Sequence, residues 1–218
     1  MIVVFLGAPG AGKGTQAKRV AATLGVPHVS TGELLRGAVE EGTELGVQAR
    51  EYLDAGRLVP DDVMLGIIRA LLAKPEYRKG FVLDGFPRTV PQAEGLDGIL
   101  AEGAKAIDRV VFLDIPEATA IERLTARVSC PRCGAAYNAV TKPPAVPGTC
   151  DVCGAGLEKR SDDDRETVAS RFEQYERATR PVIEYYSRDG RLTRIEAGGT
   201  IEDVGQAVLA ALDSGRGR

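Results

Sequence analysis

Ile2-Val3-Val4-Phe5-Leu6, followed by Gly7-Ala8-Pro9-Gly10-Ala11-Gly12-Lys13-Gly14-Thr15, is the stretch on which the reading of this chain turns. Five apolar residues in succession, without alternation, suit a strand buried on both faces of a parallel sheet. The glycine-rich turn fits G-x-x-x-x-G-K. Helical spacing resumes from Gly12 to about Leu24, which gives the motif the strand-loop-helix setting it requires. Its chemistry lies in the backbone: glycines let consecutive N–H groups point inward and the helix start adds partial positive charge, while Lys13 completes a cradle for β and γ phosphates. A hydroxyl that ligates magnesium usually follows this lysine. Here Gly14 follows it, and the hydroxyl arrives only at Thr15. Magnesium is therefore expected to be held largely through waters and carboxylates, with Asp84 as the leading candidate because it ends the apolar strand Gly80 to Leu83.

Outward from this motif, Pro27 to Val29 reads as a second strand. Ser30-Thr31-Gly32-Glu33 has capping-box spacing and starts helical turns that continue to about Ala55. Asp61 to Ala73 and Pro91 to Glu102 are helical, Val110 to Leu113 a strand, and Pro116 to Arg127 a helix. Asp163 to Ser187 reads as one long helix, Leu192 to Ile195 as a strand and Ile201 to Leu212 as the last helix. This alternation predicts an α/β fold, a doubly wound parallel sheet. Two stretches interrupt it and read as inserts: Ser30 to Val59, all helical, and Val128 to about Asp163, rich in Cys, Gly and Pro. Ser214-Gly215-Arg216-Gly217-Arg218 is expected to be a frayed tail.

A chain of 218 residues that is 44% hydrophobic has material for a core without disulfides. Its formal charge of -3 makes no global case for a nucleic acid or an anionic membrane as partner, so an anionic ligand must be held by a local site. No apolar run approaches the ~20 residues of a membrane span, and Met1 to Leu6 lacks the basic start of a signal peptide. The expected location is cytoplasmic. Cys130-x-x-Cys133 and Cys150-x-x-Cys153, separated by sixteen residues, use all four cysteines and match a four-thiolate zinc site. Such a site leaves no position open for water, so the metal is expected to be structural; two disulfides are the competing reading. A nucleic-acid-binding zinc ribbon would call for a basic, aromatic-rich surface, whereas this chain is acidic and has no Trp. His28, the only histidine, abuts a predicted buried strand and is expected to serve packing or the helix start. Tyr185 and Tyr186 are likewise expected to pack.

Gly-Ala-Pro-Gly-Ala-Gly-Lys-Gly-Thr (7–15), Ser-Thr-Gly-Glu-Leu-Leu-Arg (30–36) and Asp-Gly-Phe-Pro-Arg-Thr (84–89) with Gln92 resemble, in order and spacing, the motifs of the adenylate kinases. The resemblance runs over essentially the whole chain. It implies a core of residues 1–29, 60–126 and 164–218, an AMP-binding insert at 30–59 and a mobile, zinc-bearing lid at 127–163. The reaction implied is reversible transfer of the terminal phosphoryl group of Mg-ATP to AMP, giving two ADP, by a monomer. Carried over by position, Gly10, Ala11, Gly12, Lys13, Gly14 and Thr15 would surround the ATP phosphates. Thr31, Arg36, the backbone of Arg57, Leu58 and Val59, then Gly85, Phe86, Pro87, Arg88 and Gln92 would hold AMP. Gln92 suits the edge of adenine because an amide donates and accepts together. Lys13, Asp84, Arg88, Arg123, Arg127, Arg160 and Arg171 form the implied catalytic set; planar, permanently charged guanidinium forks suit phosphate oxygens. Arg160 and Arg171 would also reach AMP, and Arg127 ATP. Ala136 and Tyr137, the ring packing on the base, and the Gly199 carbonyl would hold the ATP base. Val128 departs from the family, where a second basic residue is common after Arg127. A sibling kinase acting on UMP, CMP or GMP is the nearest rival, and Thr31 with Gln92 favours AMP.

Overall fold

β1, Ile2–Gly7, lies at the centre of the sheet. All of its residues are buried, and it pairs in parallel with β3 (Phe81–Asp84) on one side and β4 (Arg109–Asp114) on the other. β2 (His28–Ser30) continues the sheet beyond β3, and β7 (Leu192–Glu196) continues it beyond β4, giving five parallel strands in the order β2-β3-β1-β4-β7. The computed structural model describes residues 1–213; the tail expected at 214–218 lies outside the described residues.

The unbroken apolar run of β1 is explained by what covers it. Ile2, Val4 and Leu6 face one cluster, shared with α4 (Asp61–Leu72), α5 (Val90–Glu102) and α8 (Arg180–Ser187); Val3 and Phe5 face the other, shared with α1 (Lys13–Leu24), α6 (Glu117–Thr125), α7 (Arg165–Gln174) and α9 (Ile201–Asp213). With helices on both faces, a strand gains from apolar side chains at every position. Strand order reverses about β1, so a crevice opens beyond the carboxyl ends of β1, β3 and β4, where ligands of such sheets bind.

The first insert forms α2 (Thr31–Glu40) and α3 (Glu44–Asp54). Half of the capping box forms: the Ser30 hydroxyl accepts from the Glu33 amide at 3.4 Å, while the Glu33 carboxylate pairs with Lys18 at 2.7 Å. Leu35, Ala49 and Val59 belong to the same apolar cluster as β1, so this insert is anchored in the body of the protein.

The second insert differs from expectation at both ends. The helix expected to reach Arg127 stops at Thr125. The Asn138 side chain donates to the Arg123 carbonyl at 3.0 Å, the Ala139 amide donates to Ala126 O at 2.9 Å, and Arg127 opens β5 (Arg127–Ser129), antiparallel to β6 (Ala136–Asn138). The long helix expected from Asp163 starts at Arg165, with the Asp164 carboxylate accepting from the Glu166 and Thr167 amides at 3.0 Å. It is also interrupted by a π-helical turn over Tyr175–Thr179, where the Thr179 hydroxyl donates to the Arg88 carbonyl at 2.9 Å. Among the described residues no helix is long and apolar enough to cross a membrane.

Candidate active site

The loop between β1 and α1 sits at the crevice because its glycines let it come close to neighbouring backbone. Gly10 has φ 84°, and a Cβ there would lie 2.4 Å from the Ala120 carbonyl oxygen. Gly14 answers a question left by the sequence: a Cβ at 14 would lie 3.1 Å from Oδ2 of Asp84, so the carboxylate fills the space where a side chain would start. The hydroxyl usual at this position is replaced by a buried carboxylate from the end of β3. Ala11 is buried under the loop, and Thr15 lies in the first turn of α1.

Lys13 donates to the Gly7 and Ala8 carbonyls at 2.8 and 2.9 Å. Burial draws its pKa down to about 8, helped by Arg88, Arg171 and Arg127 and opposed by Asp84. Burial first, then the Arg171 charge, lowers Arg88 to about 10; burial with Arg127 and Arg36 nearby lowers Arg160 to about 10. Arg171 is lowered by burial. Lys13, Arg36, Arg88, Arg127, Arg160 and Arg171 thus crowd one place, and the carboxylates named among them are Asp84, Asp162 and Asp163. Burial first, then mutual repulsion, depresses these values, and a bound polyanion would relieve the excess of positive charge.

The sequence did not single out Asp162 and Asp163, yet they organise this set. Asp163, with no exposed surface, takes both Nε and Nη2 of Arg127, and Arg171 reaches Asp163 at 3.0 Å and Asp162 at 3.1 Å. Arg36 of the first insert lies 3.8 Å from Asp162. The only local signal was the run Asp162-Asp163-Asp164, of which a helix cap accounts for one residue.

Beside the cations lies a cleft of about 590 Å³, open mouth included, lined by Thr31, Leu35, Arg36, Leu53, Leu58, Val59, Met64, Gly85, Arg88, Gln92 and the Arg57 backbone region. A second cleft runs along Gly7, Pro9 and Lys13, and the two share Gly56, Leu58, Gly85, Arg88 and Arg171. The Gly85 carbonyl is the common anchor, accepting from the Thr31 hydroxyl and from Arg88 Nε, both at 2.8 Å. Phe86 is buried, and the Phe86–Pro87 peptide is cis. The Arg57 guanidinium pairs with Glu51 at 2.7 Å, so it is engaged within the first insert.

The four cysteine Sγ atoms lie within 4.8 Å of one another and are unbridged, with Cys130 to Cys153 at 3.4 Å and Cys133 to Cys150 at 3.5 Å. A tetrahedron of thiolates at ~2.3 Å from an ion has sulfurs about 3.8 Å apart, so the set fits a metal ion. The disulfide reading has no support in these separations. The glycine after each pair makes the fit possible. Gly134 (φ 69°) and Gly154 (φ 73°) turn the chain so that their amides donate to the Cys130 and Cys150 carbonyls at 3.0 and 2.9 Å, two matching knuckles. Burial pushes the Cys150 thiol up, but hydrogen bonds from the Tyr137 hydroxyl and the Cys153 and Val152 amides outweigh it, leaving Cys150 at about 6.

Compared with known proteins, residues 5–191 match the family model for adenylate kinase. An adenylate kinase of Geobacillus is 50% identical over 204 residues, 94% of each chain; one of Archaeoglobus fulgidus is 48% identical over 98% of each; one of Lysinibacillus sphaericus is 47% identical over 99% of this chain and all of its own. The chain belongs to the adenylate kinase family. Its reaction is the conversion of ATP and AMP to two ADP, and its ligands are adenine nucleotides.

Within this adenylate kinase fold, two expected residues stand away from the phosphate centre. Arg123 donates to the carbonyls of Ala197, Gly198 and Gly199 at 2.9, 3.3 and 3.2 Å, and burial lowers its pKa. Gly199 is thereby tied to Arg123. Tyr137 is 4% exposed. Its ring is enclosed with the cysteines, its hydroxyl accepts from the Asp151 amide at 2.8 Å, and Val128 pairs with it across the hairpin. The ring therefore has no face to offer a nucleotide base. His28 opens β2 with Nε2 buried, 3.9 Å from Asp84, and burial lowers its pKa, which keeps it neutral.

Proposed function

We propose that ATP lies along Gly10–Thr15 with its γ-phosphate against Lys13, that AMP lies in the cleft of Thr31, Arg36, residues 57–59, residues 85–88 and Gln92, and that the phosphoryl group passes directly between them. The observation that carries this reading is that the two clefts share Arg88 and Arg171, so a donor and an acceptor phosphate entering from opposite sides would meet over the same guanidinium groups. The acceptor phosphate is ionised at neutral pH, so no general base is needed, and positioning with charge stabilisation carries the chemistry. Lys13, Arg88, Arg127, Arg160 and Arg171 neutralise the charge spread over the equatorial oxygens in transfer, and Asp162 and Asp163 hold two of those arginines in place. Arg123 serves the base end of ATP, beside the Gly199 carbonyl and Ala136. Magnesium, carried in with ATP, supplies further charge neutralisation, and Asp84 would hold its waters.

The four thiolates hold structural zinc, chosen over other ions by an all-sulfur tetrahedral donor set. Residues 30–59 and 127–163 move as an AMP-binding insert and a lid on the core of 1–29, 60–126 and 164–218. Their closure excludes the water that would otherwise accept the phosphoryl group, as lid closure does in adenylate kinases generally.

The test is phosphate transfer by purified protein from Mg-ATP to AMP, UMP, CMP and GMP, together with disproportionation of ADP. Rapid transfer to AMP alone is expected; equal transfer to a pyrimidine monophosphate would overturn the acceptor assignment.

A further inference from the structure

Gln92 is 2% exposed and makes two hydrogen bonds to groups of fixed polarity. The Arg88 amide can only donate, and it meets Oε1 at 2.8 Å; the Asp61 carboxylate can only accept, and Oδ1 meets Nε2 at 2.7 Å. The other oxygen of Asp61 accepts from the Thr89 hydroxyl at 3.0 Å, and that hydroxyl accepts from the Gln92 backbone N–H at 3.2 Å. Asp61, the first residue of α4, is thus fixed to the first turn of α5 through both of its oxygens.

A glutamine amide read from one side alone is ambiguous, because rotation by a half-turn exchanges donor and acceptor with little change of shape. Here rotation would set Oε1 against the Asp61 carboxylate and Nε2 against the Arg88 N–H, two like-polarity contacts at a buried side chain. One lone pair of Oε1 and one N–H of Nε2 remain for a ligand, in a fixed order. An adenine edge presents an amino donor at C6 beside an acceptor at N1, which that order matches. Hypoxanthine and guanine present a carbonyl acceptor at C6 beside an N1–H donor, which only the rotated amide would match.

We propose that Asp61 is a specificity-determining positioning residue: by fixing the orientation of the Gln92 amide, it makes the acceptor subsite read a 6-amino purine and reject a 6-oxo purine. The inference rests on the assignment of Gln92 to the acceptor base. Asp61 does not line the cleft and acts through Gln92 alone.

The test measures kcat/KM for AMP and for inosine monophosphate, with Mg-ATP as donor, in the wild-type protein and in Asp61→Asn, Asp61→Ala and Gln92→Leu, each checked by thermal melting. An asparagine can donate or accept, and an alanine does neither. In both Asp61 variants the ratio of AMP to inosine monophosphate should fall by about tenfold or more, a fraction of what a site built to pair polar groups can discriminate. A packing role alone would lower both values together and leave the ratio intact, which would overturn the proposal. If the ratio falls in Gln92→Leu but not in the Asp61 variants, Gln92 reads the base without Asp61 and the proposal fails alone. If it is unchanged in Gln92→Leu as well, the acceptor-base assignment fails first.

Discussion

The two inserts flank the same cleft but are held by different physics. Residues 31–54 contribute Leu35 and Ala49 to the apolar cluster that also buries β1, so this insert shares the body's core. The segment from Arg127 onward has a cluster of its own, whose buried members are Cys130, Tyr137 and Cys150, too few to close a hydrophobic core. What the second insert lacks in apolar burial, four thiolates supply. Its polar links to the body run from Asp162 and Asp163 to Arg171 and from Asn138 and Ala139 to the carbonyls of Arg123 and Ala126, and Arg36 of the first insert lies beside Asp162. One protein thus carries an insert that shares the core of the whole fold and another built around four cysteines that fit a metal ion.

The largest effect should come where the two inserts converge. Lys13→Ala or Arg88→Ala is expected to lower kcat by about a thousandfold, the scale of losing a charged donor to the transferring group, while the melting temperature stays within a few degrees. Near-normal turnover in both variants would move the chemistry out of this cleft and leave the comparison of inserts without a functional meaning.

Metal removal separates the two supports. Complete extraction by a chelator under reducing conditions should lower the melting temperature by roughly 10 °C or more. By hydrogen exchange, protection should be lost around 128–158 while α2 and α3 keep theirs. Equal loss in both inserts would show that they are not independently supported, and an unchanged melting curve would remove the metal from the account of stability.

Part of this contrast was legible in the chain itself. Gly7 to Thr15, the Ser30–Glu33 cap and the two Cys-x-x-Cys-Gly units are local devices: backbone conformation, a cap three residues away and a turn after each thiol pair, all written within a few residues. What stayed hidden depends on partners far along the chain. Asp162 and Asp163 gain their role from Arg127, Arg171 and Arg36, and Gly14 from Asp84. The break at Tyr175–Thr179 was announced by Pro181, which has no N–H for the Arg177 carbonyl one turn back, and it coincides with the Thr179 bond to Arg88. The β5–β6 hairpin was missed because three-residue strands beside cysteine knuckles have too little alternation to register. Tyr137 was assigned by motif position to a nucleotide base; a lid with so small an interior needs its ring inside.

The first insert should respond to an apolar deletion. Leu35→Ala is expected to cost about 2–4 kcal/mol, or roughly 5–10 °C in melting temperature, because its cavity opens into the core shared with the sheet. The KM for AMP should rise and metal affinity stay constant, since none of the thiolates packs on Leu35. A change in metal retention would couple the inserts more tightly than the contacts described here allow.

The smallest effect should come from Lys18, a core side chain that touches both. Lys18 Nζ lies 2.7 Å from Glu33 at the start of α2 and 3.5 Å from the Gly134 carbonyl in the first cysteine knuckle. Lys18 and Glu33 are both more than a third exposed, so water and salt screen the pair, and exposed pairs of this kind contribute about 0–1 kcal/mol. Lys18→Met should therefore shift the melting temperature by no more than about 2 °C and change KM for either nucleotide by less than about threefold. A larger rise in KM for ATP and AMP together, reversed at neither low nor high salt, would mean that this contact holds the two inserts over the cleft as a unit. The distinction between a core-supported and a metal-supported insert would then describe how each folds but not how they act.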